Sequence, residues 1–512
     1  MLTSEIGQLG RTKLYTRWDI RLRYAAALLT LLGAAAAFAV GTAVIAQLSG
    51  ADQVWPVVTF RSIAGGEGAL VDPTGTSTAH LEFPAALTLP QLDPWWPVLL
   101  VVLPLFALWM RYVVGRLLRR FNGEARHRGL ATPAEVRKHY GTRTVRRTTR
   151  FTRPTLTRWQ RFLLPTGACG IDIGAATTPK VRGKLRVDLE QRIRIVARPG
   201  WGKSKRLLQP ITRALTGPAL VSSTEPEAFT ATVVARQFRA TPSRIPWRRA
   251  VREYPIAVVE CAPADHRVAG GYPAVRWNPI LGCRNYKIAT RRAAALVKGV
   301  DEDSGGDSSA TSRWFEDGAT KVLAAFLHAA AWDDTLELAS FAEWLATDDY
   351  SRPVAILRAH KAVADPAALL GSLRNLDPEG GRTTSNLKVS VAAAVASLTS
   401  SEGAAVCGLR ADPQFDMQDL ITSGGTLYLI AEPDEMKLAR PLLSLLATEM
   451  FLAAEQVARA AKAKRLPEPF YGVLDELRYG VRVANLEYVA NTMRKFGVSY
   501  VYCVTNGADE AA

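Results

Sequence analysis

The sequence predicts an α/β fold placed behind two N-terminal transmembrane helices. Three observations carry that expectation. Two long apolar runs are confined to the first 114 residues. A strand–turn–helix pattern surrounds Gly202-Lys203-Ser204. A later apolar run, Phe470 to Leu474, ends in Asp475-Glu476. At 512 residues the chain is too long for one core, and about two to four structural units are expected. A hydrophobic fraction of 48% and a charged fraction of 22% exclude wholesale disorder. The formal charge of +17 favours anionic partners, either nucleic acid or the anionic face of a membrane.

The first apolar run, Tyr24 to Leu48, carries no charge and follows Arg17, Arg21 and Arg23. It exceeds the ~20 residues needed to cross a bilayer. A basic start before an apolar stretch also fits a cleaved signal peptide. The length of the run and the presence of a second one argue against cleavage. That second run extends from Trp95 to Val114. Trp95, Trp96, Trp109 and Tyr112 suit the membrane interface, and Arg111 can snorkel to the headgroups. Arg116, Arg119 and Arg120 follow at once, whereas Arg61 is the only Lys or Arg from Ser49 to Pro94. The positive-inside rule places both termini in the cytoplasm and the intervening loop outside. Residues 1–120 are thus expected to form a multi-pass domain in the cell membrane. The arginine-dense stretch 111–161 fits either lipid contact or a path for nucleic acid.

The five cysteines are Cys169, Cys261, Cys283, Cys407 and Cys503. Their number is odd and no two have metal-ligand spacing, which argues against a disulfide framework or a zinc site. All follow the apolar runs, in what is expected to be reducing cytosol.

Arg192 to Val196 is a β-branched run that reads as a strand. Ala197, Arg198, Pro199, Gly200, Trp201, Gly202, Lys203 and Ser204 then fit the phosphate-binding pattern G-x-x-x-x-G-K-[ST] except at its first glycine. Such a loop aims backbone N–H groups and the next helix's N-terminus at phosphate oxygens. Lys203 is expected to reach the β- and γ-phosphates of ATP and Ser204 to ligate Mg²⁺. Trp201 is bulky for such a loop and is a candidate to stack on a neighbour. A lone G-K-S also occurs by chance; the strand before it and the helical pattern from Ser204 to Leu208 after it argue for the motif. The Phe470–Leu477 segment (FYGVLDEL) places two acids at a strand's C-terminal end, where ligands bind in open α/β sheets. Asp475 is expected at Mg²⁺, and Glu476 at the attacking water. An ordinary charge pair at a strand end is the plainer alternative for these acids.

With those segments the chain resembles type IV secretion system coupling proteins, the TraG/TraD-like conjugative DNA-transfer ATPases, particularly those of actinobacteria. The segment LRVDLEQRIRIVARPGWGKSKRLLQPI looks like that family's nucleotide loop. ALVSSTEPEAFTAT looks like its next strand and turn. VRWNPILGCRNYKIATRRAAALV, with Arg276-Trp277-Asn278-Pro279, is similar to its R-W-x-P-L-x-G-C signature. The resemblance implies a RecA-like P-loop ATPase domain interrupted by an all-α domain. The expected layout is a basic juxtamembrane linker leading into the cytoplasmic part at 121–190, nucleotide-binding segments at 191–284 and 401–512, and helices at 285–400.

The residues between are compatible with that layout. Phe315, Val322, Leu323, Phe326 and Leu327 recur at helical spacing between Trp314 and Trp332, after a polar loop at Asp301–Ser312. Ala364–Leu398 holds further helical patches around Glu379-Gly380-Gly381. Gly425–Ile430 returns to strand composition, and Pro441–Arg465 reads as one long helix. His328, alone on an apolar helix, reads as a structural group.

The resemblance also implies site residues. Lys203, Ser204, Asp475 and Glu476 match the family's nucleotide positions. Thr492–Gly497 (TMRKFG) is similar to a segment whose arginine reaches the neighbouring subunit's ATP, which would give that role to Arg494. A solvated basic residue beside Lys495 is the alternative. Val504-Thr505-Asn506 stands where the family has a sensing Gln, and Ala197 stands at the first loop glycine. The implied function is ATP-driven export of single-stranded DNA with its relaxase into a secretion channel, by a membrane-bound homo-hexamer. An FtsK-like motor on double-stranded DNA, a protein-export ATPase and a non-hydrolysing membrane adaptor are the alternatives.

Overall fold

A computed structural model of the chain describes a few positions before residue 113 (28, 30, 33, 67–71, 78–82, 104, 106–109 and 112). Beyond it, it describes 133–164, 166–175, 184–240, 251–300, 310–346, 351–366, 368, 381–407, 415–477, 479–484 and 486–504. The expected spans 24–48 and 95–114 lie mostly outside these residues, and Thr505 and Asn506 lie outside them. Among the described residues no helix is long and apolar enough to cross a membrane.

The chain divides into two compact units, Met1–Thr132 and Pro133–Ala512. In the first, β1 (Glu67–Val71) and β2 (Thr78–Glu82) form an antiparallel hairpin within the segment expected as a loop.

The second unit is folded from its start. Three helices, α1 (Pro133–Tyr140), α2 (Thr142–Thr152) and α3 (Arg158–Leu163), lead into the antiparallel hairpin of β3 (Gly170–Ala175) and β4 (Lys184–Asp188). α2 forms although its sequence is mostly Arg and Thr. Val145, Thr149 and Thr152 recur on one face and are buried. A capping box of Thr157 and Gln160 starts α3.

The chain then enters a sheet through β5 (Ile193–Val196). A helical turn and α4 (Gln209–Ala214) return it to β6 (Ala219–Ser223). After a short hairpin of β7 (Phe238–Ala240) and β8 (Val251–Glu253) comes β9 (Ile256–Cys261). The described residues between β9 and β10 (Thr426–Ala431) hold helices and loops only, including α5 (Tyr286–Gly299), α6 (Ala310–Ala330) and α7 (Gly381–Thr399). The long α8 (Pro433–Ala460), β11 (Phe470–Leu474), α9 (Leu486–Thr492) and β12 (Val498–Val504) complete the described chain.

The six strands run parallel in the order β5-β12-β11-β6-β10-β9. Their composition follows from burial on both faces. β6, β10, β11 and β12 are buried at every residue, whereas the edge strand β5 alternates half-buried and exposed positions. Successive side chains of β10 serve different layers. Leu427 and Leu429 join a core with Leu296, Phe326, Leu398 and Phe451 from α5, α6, α7 and α8. Tyr428 and Ile430 join a second core with Leu208, Ile211, Phe229 and Val233. The helical insertion therefore shares the core of one sheet face.

α8 differs from the expected Pro441–Arg465 helix. It begins at Pro433, where a missing N–H costs nothing, with Asp434 and Glu435 at the positive end of the helix dipole. Pro441 lies inside it. There it abuts Gly299 so closely that a Cβ on that glycine would stand 2.5 Å from the Pro441 Cα. The helix stops at Ala460, five residues short of Arg465.

Candidate functional site

The loop after β5 starts from a fixed point, since Ala197 N donates to Val504 O of β12 at 3.2 Å. Gly200 and Gly202 then have φ of +78° and +79°. That left-handed conformation costs an L-residue about 1–2 kcal/mol, so both positions suit glycine. Arg206 N donates to Gly202 O at 2.8 Å and closes the first helical bond. From Ser204 to Leu208 the turn is π-helical, wider than the expected α-helix. Gln209 N bonds Ser204 O, five residues back, which defines the π turn. Pro210 follows at once and offers no N–H to the Arg206 carbonyl four residues back. Trp201 is 70% exposed, and no described ring packs on it.

Asp475 and Glu476 follow β11, and only β12 separates that strand from β5. In a parallel sheet both loops therefore emerge at the same, C-terminal edge. Asp475 N donates to Ser222 O at 3.1 Å, and Leu477 N to Cys503 O at 3.1 Å, which anchors the acidic turn on both sides. Ser204 Oγ donates to Asp475 Oδ2 at 2.7 Å. Lys203 Nζ stands 3.9 Å from Glu476 Oε1. Residues 271 positions apart in sequence thus meet in one cluster.

The cluster has unused bonding capacity. Lys203 is only 8% exposed, and its Nζ has no hydrogen-bond partner. Asp475 Oδ1 and Ser222 Oγ are also buried and unbonded. Buried polar groups without partners are costly, and their convergence marks a place where a ligand completes the bonding. A phosphate matches the Lys203 ammonium and the glycine-bent loop. A hard cation such as Mg²⁺ matches the oxygens of Ser204 and Asp475. Both groups fit the donors present. Glu476 has φ of +51°, rare for a residue with a side chain and worth about 1–3 kcal/mol of strain. Gly480 N donates to Glu476 O at 2.6 Å and helps hold that turn.

Burial raises the Asp475 carboxyl above the ordinary carboxylate range. The Ser204 hydrogen bond opposes this, the Glu476 charge adds to it, and Lys203 opposes it. A raised folded-state pKa favours the protonated form. Its stabilising contribution is present below the ordinary carboxylate pKa and is lost as pH rises through the raised value. At neutral pH the ionised Asp475 therefore costs stability. Asp475→Asn should raise Tm of the nucleotide-free protein more at about pH 7 than at about pH 4, by about 1 °C for each kcal/mol relieved. The same change should weaken binding of Mg²⁺-nucleotide. A thermal melt in which the variant is no more stable at neutral pH contradicts this reading of Asp475.

Arg494 lies elsewhere. It sits in the 3₁₀ turn Met493–Phe496 that precedes β12, at the opposite end of the parallel sheet from the Lys203 loop. Its guanidinium faces Asp188 and Arg465. It counteracts part of the burial that raises Asp188, and it adds to the burial that lowers Arg465. With Asp188, Glu190, Arg465 and Lys495 it lines a cleft of about 570 Å³. Within one chain Arg494 is thus not brought to Lys203.

The Arg276-Trp277-Asn278-Pro279 segment forms a locked corner. Asn278 Oδ1 accepts from Ile280 N at 2.8 Å and from Leu281 N at 3.3 Å. Buried Trp277 lies under the Arg292 guanidinium at 4.8 Å. Arg292 also donates to Pro279 O at 2.7 Å and pairs with Glu449 of α8 at 3.3 Å. The sequence showed no sign of this pair, because its members are 157 positions apart. His328 is structural: Nδ1 lies 2.8 Å from Cys283 O, and Nε2 accepts from Asp365 N at 3.2 Å. The five cysteines are buried and none is in a disulfide.

Residues 262–508 match the family described as the type IV secretion-system coupling protein DNA-binding domain. Residues 262–508, just under half of the chain, thus form a domain of the type IV coupling-protein family. The coupling-protein segment starts at the end of β9 and runs past β12. It therefore contains the helical insertion, the acidic pair and Arg494, while the Lys203 loop precedes it. A search of curated proteins finds no match. Among solved structures, the chain is similar to the bacterial conjugative coupling protein TrwBΔN70 in a trigonal form with sulphate. The identity is 14% and the TM-score 0.44, over 63% of this chain and 64% of that one. TrwB in complex with ADP and Mg²⁺ gives 14% identity and a TM-score of 0.43, with the same coverages. The unbound monoclinic form gives 13% and 0.43 over 69% of each chain. The chain thus spans about 64% of the length of the first of these.

Proposed function

We propose that this protein is a RecA-like ATPase anchored in the cell membrane by 24–48 and 95–114, with both termini cytoplasmic. It passes relaxase-bound single-stranded DNA to a type IV secretion channel. The observation that carries the reading is the convergence of Lys203, Ser204, Asp475 and Glu476 at one sheet edge, in a chain whose acidic strand belongs to a coupling-protein DNA-binding domain. The Lys203 ammonium neutralises charge on the β- and γ-phosphates of ATP. The Gly200–Ser204 backbone cradles the phosphates. Ser204 and Asp475 hold Mg²⁺, which supplies charge compensation at the phosphate oxygens when bound. Glu476 orients the attacking water from its strained, half-exposed position, with Lys203 Nζ 3.9 Å from its Oε1. A ring, most simply a homo-hexamer, brings each Arg494 to the neighbour's site.

DNA binding tests the substrate. A motor that must pass any sequence reads the phosphate backbone, so Lys and Arg displace counterions and affinity falls steeply with salt. Full-length protein in detergent should bind labelled single strands of unrelated sequence with similar affinity, weakening together as salt rises. Absent or salt-insensitive binding overturns the DNA substrate in favour of protein export.

A further inference from the structure

The helices α2 and α3 present a surface that the nucleotide chemistry leaves unused. From Val136 to Ile171 there are nine basic residues and no Asp or Glu. Arg146 donates from α2 to Phe162 O at 3.1 Å, and Arg161 donates from α3 to Arg150 O at 3.3 Å, so the two helices form one unit. Arg143, Arg147, Arg150 and Arg158 are exposed around it. Among them Trp159 is 77% exposed, Phe162 70% and Phe151 57%. The apolar face of α2 is already spent on Val145, Thr149 and Thr152, so the exposed rings are not misplaced core.

We propose that α2 and α3 dock on a bilayer containing anionic phospholipids, with the arginines on headgroup phosphates and Trp159 and Phe162 at the interface. Tryptophan suits that layer because its ring is apolar and its N–H is polar. Guanidinium groups pair with phosphate in a bidentate fashion. Aromatic rings among arginines also suit single-stranded nucleic acid, on which they stack. Two features favour lipid. Leu163, 39% exposed beside the rings, offers no π-face for stacking. The unit also begins within about 30 residues of the expected second span, which confines it near the membrane. The proposal rests on the membrane-anchored reading. Docking would hold the nucleotide unit close to the membrane, through contacts that salt and lipid charge control.

The test uses the full chain reconstituted in vesicles, with an environment-sensitive dye on Thr155→Cys, an exposed site between the helices. Spin-labelled headgroup lipid should quench the dye strongly in vesicles that contain phosphatidylglycerol, and weakly in pure phosphatidylcholine or at high salt. Each arginine near an anionic bilayer is worth about fivefold in docking. Arg143→Gln with Arg147→Gln should therefore lower docking about 25-fold, and Trp159→Ala with Phe162→Ala should also reduce quenching. All four substitutions lie on exposed side chains and should leave ATP hydrolysis unchanged. Equal quenching with both lipids, or quenching indifferent to the substitutions, overturns the proposal. So does an unquenched dye with loss of single-strand affinity in the arginine variant, which assigns the surface to nucleic acid. The anchored reading is tested separately in intact cells with an impermeant thiol reagent. A cysteine at Gly75 should react and one at Gly141 should not; the reverse pattern overturns the anchorage and the lipid surface with it.

Discussion

Lys203→Ala is expected to lower ATP hydrolysis by the full-length protein about 10²-fold or more, the scale seen when one preorganised charge is removed from a transition state. The side chain is almost fully enclosed, and its ammonium has no hydrogen-bond partner. Its removal takes away the positive charge beside Asp475 and Glu476, so Tm of the nucleotide-free protein should fall modestly at neutral pH while the protein still folds. Glu476→Gln should behave differently. It spares the phosphate contacts and removes the carboxylate 3.9 Å from Lys203. Turnover should slow while nucleotide affinity is kept. Wild-type hydrolysis in the lysine variant rejects the assigned loop, and loss of nucleotide binding in the glutamine variant rejects the role given to Glu476.

Arg494→Ala is expected to be nearly inactive alone and to regain activity when mixed with Lys203→Ala. The placement of Arg494 at the far end of the sheet gives this prediction its form. It cannot serve the nucleotide of its own chain, so any catalytic role is in trans. An arginine supplied by a neighbour can be worth roughly 10³–10⁵ in rate. In a mixed ring some sites join an intact Lys203 loop to an intact Arg494, and those sites should turn over. Oligomerisation of the mixture is verified first, by sedimentation or light scattering. A mixture that assembles without recovering activity removes Arg494 from catalysis. It then becomes a charge that balances Asp188 in the cleft with Arg465.

Much of this arrangement was legible in the sequence because it is local. The strand before Ala197, the two glycines and the acids after Phe470–Leu474 are set by residues within one strand and one turn. The same holds for Thr426–Ala431 and for the helix around Phe326, where burial on two faces or one stripe writes its own periodicity. What was not legible depends on distant partners. The Ser204–Asp475 bond needed the strand order to be known. The Arg292–Glu449 pair carries no local mark. Pro441 looked like a helix start because a proline favours that position, but it lies inside α8, against Gly299. The π-helical turn after Lys203 and the left-handed Glu476 are likewise invisible to pattern, since neither residue type favours that backbone. Ser222 had a faint signal, a hydroxyl pair ending an apolar strand. Its unbonded, buried Oγ beside the acidic turn became apparent only in three dimensions.

The central proposal is that nucleotide turnover at Lys203 and Glu476 is coupled to DNA. The direct measurement is the ATP hydrolysis rate of the full-length wild-type protein, with Mg²⁺, at low salt, with and without single-stranded DNA. Hydrolysis should rise several-fold on adding single strands of any sequence, less with duplex, and not at all in Lys203→Ala. Hydrolysis that is absent in the wild type, or that ignores DNA at concentrations where DNA is bound, contradicts a DNA-coupled motor and leaves a nucleotide-binding membrane adaptor in its place.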